Sequence, residues 1–227
     1  MTPLPPVLFR DQRFVVLDKP AGLPVHPGPG GLAGGGSVED WFPQLSRRKD
    51  GPWLVHRLDA DTAGCLLIAL RRAALIAAQA EFAAGRAGKT YWAVVRGVPP
   101  AASGTIDAPL RRQNTRAGWR MITDPAGQRA ITAWRLAGHD GELAWLELFP
   151  RTGRTHQVRA HCAWLACPVL GDAVYGGGAG RLHLLSRALE LALDPPVAAT
   201  APPPPHMHAA LARCGWHAAP GDAAAAR

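Results

Sequence analysis

Short apolar runs, each bounded by charged or turn-forming residues, predict buried strands along the chain. Residues 13–19 (RFVVLDK) and 63–70 (AGCLLIAL) have the length and apolar density of strands that pack inside a sheet. Residues 90–97 (TYWAVVRG) and 142–149 (ELAWLELF) combine β-branched, aromatic and alternating apolar positions, which also favours strands. The pattern therefore predicts a sheet built from segments that are distant in sequence.

Helical spacing occurs in two places between these strands. Residues 71–88 (RRAALIAAQAEFAAGRAG) place Ala and Leu at helical intervals and reach a stop signal at Gly85. Residues 154–166 (RTHQVRAHCAWLA) predict a second helix that Pro168 ends. Residues 181–193 (RLHLLSRALELAL) fit a strand or a helix, and we favour a strand.

Glycine and proline interrupt regular structure in two long segments. Residues 20–36 are so rich in both that no helix or strand is expected there, and such loops often carry binding surfaces. Residues 194–227 are dominated by Pro and Ala, and the last eight have little reason to become ordered. Helices and strands without regular alternation predict an α+β fold, with an antiparallel or mixed sheet flanked by helices and loops.

The chain is 227 residues long and strongly basic, with 25 Lys and Arg against 17 Asp and Glu and a formal net charge of +8. The length fits one domain or two tightly joined halves. Arginine supplies 22 of the 25 cations, and arginine binds phosphate bidentately. A polyanion such as RNA is therefore a candidate partner, although an Arg-, Ala- and Gly-rich coding bias would give the same excess.

Several classes of protein are disfavoured by what the sequence lacks. It has no signal-peptide pattern and no apolar run of membrane-spanning length, so we expect a cytoplasmic protein. No phosphate-binding glycine pattern follows a strand, and the histidines lack metal-binding spacing. The chain has four cysteines, namely Cys65, Cys162, Cys167 and Cys214. They form no Cys-x-x-Cys pair, which favours buried thiols over a metal site. We therefore expect no cofactor.

Two polar clusters could carry chemistry. Residues 54–64 (LVHRLDADTAG) place Asp59 near Arg57 between two apolar segments, which indicates either an ion-pair network or a site with a nucleophilic or basic carboxylate. Residues 150–161 (PRTGRTHQVRAH) gather basic side chains near the start of a predicted helix. A helix start of this kind favours a phosphate or a carboxylate, although a solvated basic face has the same composition.

These clusters and two further segments resemble the RluA-type family of RNA pseudouridine synthases. VHRLDADTAG is similar to the family's HRLD motif, and LDKPAGLPVHP (17–27) to its amino-terminal Lys-Pro segment. KTYWAVVRG (89–97) resembles the family's tyrosine-bearing strand. PRTGRTHQVRAHCAWLACPVLGDAVYG (150–176) resembles its TGRTHQIR block. The four matches occur in family order, and they imply a pseudouridine synthase catalytic fold and an isomerase that uses no cofactor.

The resemblance implies a role for each matching position. Asp59 falls on the catalytic aspartate, and Tyr91 on the tyrosine that packs against the target base and assists proton removal. Arg159 falls on the arginine that pairs with this aspartate and keeps it ionised. Arg57 falls on the HRLD arginine, which fills the space left by a flipped nucleotide. Three neighbouring side chains are expected to assist RNA binding and base flipping, namely His56, Arg154 and His156.

The same resemblance sets expectations for the whole chain. We expect one catalytic domain over 1–227, with a motif-bearing core at 13–193 and no amino-terminal accessory RNA-binding domain. The partner implied is a structured RNA, such as a stem-loop of ribosomal or transfer RNA, and nothing in the sequence demands more than a monomer. Leu185 and Ser186 depart from the family pattern, which has His and Ala there.

Two alternatives remain open at this stage. A catalytically idle RNA-binding or RNA-remodelling protein that kept the fold would account for the altered segment 183–191, although the set of Asp59, Tyr91 and Arg159 is intact. A glycosidase could use Asp59 and Asp61 as paired carboxylates. The basic composition and the three other motifs argue against the glycosidase.

Overall fold

The computed structural model shows two compact units. It describes residues 3–27, 36–116 and 118–218. Unit 1 comprises Met1–Lys89 and Leu185–Pro202, and unit 2 comprises Thr90–Leu184 and Pro203–Arg227. Within the described ranges, no helix is long and apolar enough to cross a membrane.

In chain order the strands are β1 (Val7–Arg10), β2 (Phe14–Lys19), β3 (Trp53–Leu54), β4 (Ala63–Ala69), β5 (Gly88–Arg96), β6 (Ser103–Asp107), β7 (Leu110–Thr115), β8 (Gly118–Thr123), β9 (Ile131–His139), β10 (Leu143–Pro150), β11 (Leu184–Leu191) and β12 (Val197–Thr200). The helices are α1 (Phe42–Leu45), which follows a single 3-10 turn, α2 (Arg72–Ala83), α3 (Gln157–Trp164) and α4 (Pro205–Arg213).

Unit 1 is built on a mixed sheet. Its strand order is β1–β2–β4–β11, with β3 paired to β4 and β12 paired to β11. β4 runs antiparallel to β2 and parallel to β11. Every residue of β4 is buried, because an apolar run without alternation has no face suited to water. The loop that precedes this central strand carries the HRLD motif.

Unit 2 combines an antiparallel sheet with a hairpin and two helices. The sheet order is β5–β10–β9–β6, and β7 pairs with β8 as a separate hairpin. Apolar side chains of β5, β10 and α3 share one core, which includes Ala93, Leu146 and Val158. The TGRTHQ block leads into helix α3, which contacts both β10 and the hairpin strand β8.

The strands and helices expected from the sequence are present, and the α+β class with a mixed sheet is confirmed. Residues 181–193 contain a strand, β11, as favoured. Helix α3 is shorter than expected, because His156 adopts a left-handed conformation (φ 52°) at its start. The expected loop at 20–36 has no helix or strand in its described part, and 28–35 lie outside the described residues.

The carboxyl-terminal segment is more structured than its composition suggests. It supplies strand β12 and helix α4. Met207, Ala210, Leu211 and Cys214 are buried, and their spacing is that of one helical face. The run of four prolines at 202–205, whose last member begins α4, masks this short apolar pattern in the sequence. The last eight residues, which we expect to lack order, lie outside the described residues.

Candidate active site

Asp59 lies in the loop between β3 and β4 of unit 1. Its neighbours Leu58 and Thr62 are buried, and the Thr62 N–H donates to the Asp59 carbonyl at 3.1 Å, which closes a tight turn. Asp59 itself is half-buried, whereas Asp61 is exposed. The loop thus fixes the backbone of Asp59 on both sides.

The buried side chain of Lys19, at the end of β2, holds this loop through hydrogen bonds to backbone carbonyls. Its side chain is 0% exposed, and its ammonium donates to three carbonyl oxygens, those of Pro20 at 2.8 Å, Leu23 at 2.8 Å and Ala60 at 2.7 Å. All three donors of an ammonium are thereby satisfied. Burial lowers the pKa of Lys19 to about 8, and the charges of Asp61 and Asp59 partly oppose this shift. The Lys-Pro segment therefore serves as a clamp on the Asp59 loop.

His56 anchors the other end of the loop. Its Nε2 accepts a hydrogen bond from the backbone N–H of Leu67 in β4 at 3.1 Å, and its ring stacks on Phe82 with centroids 5.0 Å apart. Burial and the charge of Lys89 lower the pKa of His56 to about 4. The neutral imidazole thus fastens the loop to the central strand, and its expected part in RNA binding stays a prediction.

Arg57, between His56 and the buried Leu58, has a different environment. Its side chain is exposed, and it makes no side-chain hydrogen bond or ion pair within the part of the chain that the structure describes. A long, exposed cation two residues before Asp59 is well placed to meet a ligand.

The motif VHRLDADTAG ends at Gly64, where the structure requires a glycine. It adopts φ +104°, and a Cβ there would lie 2.3 Å from the carbonyl oxygen of Ser186 in β11. Only glycine lets β4 approach β11 this closely. Ser186, which departs from the family pattern, is accommodated because its hydroxyl donates to the Cys65 carbonyl at 3.3 Å.

In unit 2, Arg159 forms a buried bidentate ion pair. Its Nε and Nη2 donate to Asp172 at 2.7 and 2.8 Å, and the two residues are only 6% and 1% exposed. Burial alone raises the pKa of Asp172, but Arg159 and the backbone N–H groups of Tyr175 and Val174 outweigh it and lower that pKa. The geometry fixes the plane of the guanidinium.

His156 contacts the Nη1 group of the Arg159 guanidinium. Its Nε2 lies 3.2 Å from Arg159 Nη1, and its Nδ1 lies 3.2 Å from the Tyr175 hydroxyl. Because arginine only donates, Nε2 must accept, and the proton therefore sits on Nδ1. Asp172 and His156 together accept from three N–H groups of Arg159, which holds the guanidinium in one orientation.

The two other expected residues of unit 2 are Tyr91, which lies on a strand, and Arg154, which lies in the loop before α3. Tyr91 is half-buried on β5, opposite Leu148 of β10, and it packs against the core of the unit. Arg154 precedes α3 with an exposed side chain, and its Nε donates to the Arg129 carbonyl at 3.1 Å. Arg154 is thus oriented by the backbone while part of its guanidinium faces solvent.

The expected site residues fall into two groups. His56, Arg57 and Asp59 share one loop of unit 1, whereas Tyr91, Arg154, His156 and Arg159 belong to unit 2. Sequence reasoning missed four supporting side chains, namely Lys19, Trp119, Asp172 and Tyr175. All except Trp119 lie inside quoted motifs, which was a usable signal. No cluster of three or more His, Cys, Asp or Glu suited to a metal ion occurs among the described residues.

Comparison with known proteins identifies the family. Residues 13–164 match the model of the RNA pseudouridylate synthase family. An uncharacterized RNA pseudouridine synthase of Zymomonas mobilis is 38% identical over 207 residues, covering 87% of this chain and 93% of the relative. The human RNA pseudouridylate synthase domain containing 4 superposes with a TM-score of 0.78 at 26% identity, covering 93% of this chain and 94% of that one.

A third similarity concerns a named ribosomal enzyme. The ribosomal large subunit pseudouridine synthase D of Xanthomonas campestris is 39% identical over 173 residues, which cover 75% of this chain but only 51% of the relative. The chain belongs to the RNA pseudouridylate synthase family, whose members are isomerases that act on RNA, and the RluA-type resemblance is confirmed.

Proposed function

We propose that this protein isomerises specific uridines of structured ribosomal RNA to pseudouridine, with Asp59 as the catalytic residue. The observation that carries the proposal is the Asp59 loop, whose backbone is clamped by Lys19 and His56 beside an exposed Arg57. Such support holds a reacting group in one position before substrate arrives. Ribosomal RNA is favoured over transfer RNA because several relatives are named ribosomal large subunit pseudouridine synthases.

A uridine within stacked RNA is inaccessible, so the reaction begins with its extrusion from the helix. Extrusion costs a few kcal/mol, and the contacts of the protein with the surrounding RNA must supply it. The net charge of +8 attracts the phosphates. Arg57 fills the space that the flipped nucleotide leaves, because its planar cation stacks on bases and binds phosphate. His56, Arg154 and His156 assist at the edges of this site.

The chemical step breaks the bond between uracil N1 and ribose C1′ and forms a bond from C1′ to C5. The C5 proton leaves and N1 gains a proton, so atoms balance without a cofactor. Asp59 acts either as a nucleophile at C1′ or as a base that starts an elimination. Tyr91 packs against the detached base and assists removal of the C5 proton. In the family that this chain resembles, the arginine at the position of Arg159 pairs with the catalytic aspartate.

The decisive experiment compares two carboxylates of the same loop. Pseudouridine formation on ribosomal RNA transcripts is measured with wild type, Asp59→Asn and Asp61→Asn. We expect Asp59→Asn to lose at least about 10³-fold in rate with RNA affinity retained, since only the reacting group is removed. Asp61→Asn, which changes the same charge at an exposed position, retains activity. Activity surviving in Asp59→Asn would refute the assignment.

Mapping of pseudouridine in total RNA identifies the substrate. Cells without the gene are complemented with wild type or Asp59→Ala, and the modified positions are compared. Sites restored only by wild type establish both the activity and the target RNA. If RNA is bound but no site changes, the catalytically idle RNA-binding alternative replaces this proposal.

A further inference from the structure

The β7–β8 hairpin of unit 2 contacts His156, the residue that bonds to Arg159, through an aromatic side chain. The indole of Trp119 on β8 stacks on the His156 ring, with centroids 4.8 Å apart and planes 25° from parallel. The guanidinium of Arg112 on β7 lies 4.8 Å from the same indole. Trp119 therefore joins the two hairpin strands to the residue at the start of α3.

A second contact links the same strand to the same histidine. The backbone N–H of Met121, two residues after Trp119, donates to the Tyr175 hydroxyl at 2.9 Å. That hydroxyl also lies 3.2 Å from His156 Nδ1, and the Tyr175 ring contacts the Arg159 guanidinium at 5.4 Å. Strand β8 thus sets the positions of two of the groups that surround His156.

His156 depends on these neighbours to keep its conformation. Its left-handed backbone (φ 52°) is a conformation that non-glycine residues rarely adopt, so surrounding contacts must hold it. Its Nε2 accepts from Arg159 Nη1 only while the proton is on Nδ1, which faces Tyr175. Loss of the Trp119 stack or of the Tyr175 contact would therefore loosen the hydrogen bond to Arg159.

We propose that the β7–β8 hairpin sets the orientation of Arg159 through His156, with Trp119 as a positioning residue. The outer side of the hairpin is exposed and includes Arg120, and RNA bound there would act on β8 and through it on the Trp119–His156 stack. Engagement of RNA is thereby coupled to the alignment of Arg159. This inference rests on the proposed function for the catalytic role of Arg159, but the hairpin contact itself is testable separately.

The kinetic test uses Trp119→Ala, Trp119→Phe and the control Trp164→Ala. Trp164 is an exposed tryptophan at the end of α3, the helix that begins after His156. It makes no ring contact to another described residue. We expect Trp119→Ala to lower the single-turnover rate at saturating RNA about tenfold with unchanged RNA affinity. Trp119→Phe restores the rate because a flat ring remains, and Trp164→Ala has no effect. Weaker RNA binding with an unchanged saturating rate would overturn the proposal.

A spectroscopic arm separates this proposal from the proposed function. Nitrogen NMR of ¹⁵N-histidine protein, assigned with His156→Asn, reports which ring nitrogen of His156 carries the proton. We expect a single Nδ1–H form in wild type and Trp119→Phe and a mixture of forms in Trp119→Ala. If wild type forms no pseudouridine, the proposed function fails while this arm still decides the hairpin link. An unchanged His156 signal in Trp119→Ala would overturn that link.

Discussion

His56 gives a residue-scale example of how a motif side chain holds the Asp59 loop in place. Its Nε2 accepts from Leu67 N–H only while unprotonated, and its pKa is lowered from 6.5 to about 4. Between these values the unfolded chain binds a proton that the folded chain does not. Folding stability therefore falls as pH drops from 6.5 to 4, by on the order of 3 kcal/mol from this residue. Urea unfolding over that range measures it.

A comparison of variants isolates this effect. Burial raises the pKa of Asp18 to about 6, which gives the opposite slope in the same range, so the wild-type curve alone is not diagnostic. We expect His56→Gln, whose amide oxygen accepts from Leu67 N–H without titrating, to lose the acid-dependent decrease. Replacing the exposed His139 by Gln should leave the curve unchanged. The same pH dependence in His56→Gln and wild type would show that another group is responsible.

The candidate site residues Asp59 and Arg57 were easier to propose from the sequence than the side chains that support their surroundings. Asp59 and Arg57 belong to a short polar run between apolar segments, so local pattern exposes them. Asp172 and Lys19 act through partners that lie 13 and 41 positions away in sequence. The pairing of a buried charge depends on tertiary contacts, which residue spacing alone does not give.

At the scale of elements, the approach of β4 to β11 positions the Asp59 loop. Gly64 lies on β4 directly opposite Ser186 of β11, with φ +104°, and there is no room for a Cβ between them. We expect Gly64→Ala to destabilise the protein by about 3 kcal/mol or more, because it adds a backbone clash to an unfavourable conformation. Urea unfolding measures the loss, and the pseudouridine assay should show reduced activity in the fraction that folds.

Gly141 provides the matched control for this clash. It also has a positive φ (+98°), in the turn between β9 and β10, but a Cβ there meets no atom within 4 Å. Gly141→Ala therefore carries only the conformational penalty, about 1 kcal/mol. Equal destabilisation by the two substitutions would mean that β4 and β11 can separate without cost, and that their close approach does not hold the loop.

Elements with strong apolar patterns were predictable, and those without were not. Continuous or alternating apolar residues in the sequence predict strands β2, β4, β5 and β10. The β7–β8 hairpin consists mainly of exposed polar residues, because only one side of it packs on the protein. Helix α4 begins at the last of four consecutive prolines and buries only a narrow apolar stripe. In both cases the surrounding fold, rather than local pattern, decides the structure.

At the scale of the whole molecule, the charge excess becomes a testable statement about RNA. Arg116 and Arg120 are exposed near the tip of the hairpin, whereas Arg48 and Arg86 in unit 1 pair with Asp50 and Glu81. If the hairpin cations contact phosphates, the double variant Arg116→Gln/Arg120→Gln should reduce the slope of log affinity against log salt by about 2. RNA binding from 50 to 200 mM salt is the measurement.

The control changes the same amount of charge at a different place. Arg48→Gln/Arg86→Gln also removes two cations, but each already faces a carboxylate, so few RNA counterions depend on them and the slope should stay as in wild type. If both double variants reduce the slope equally, RNA responds to net charge alone. A reduction confined to the hairpin variant means that RNA contacts the element that also holds Trp119 against His156, as the coupling to Arg159 requires.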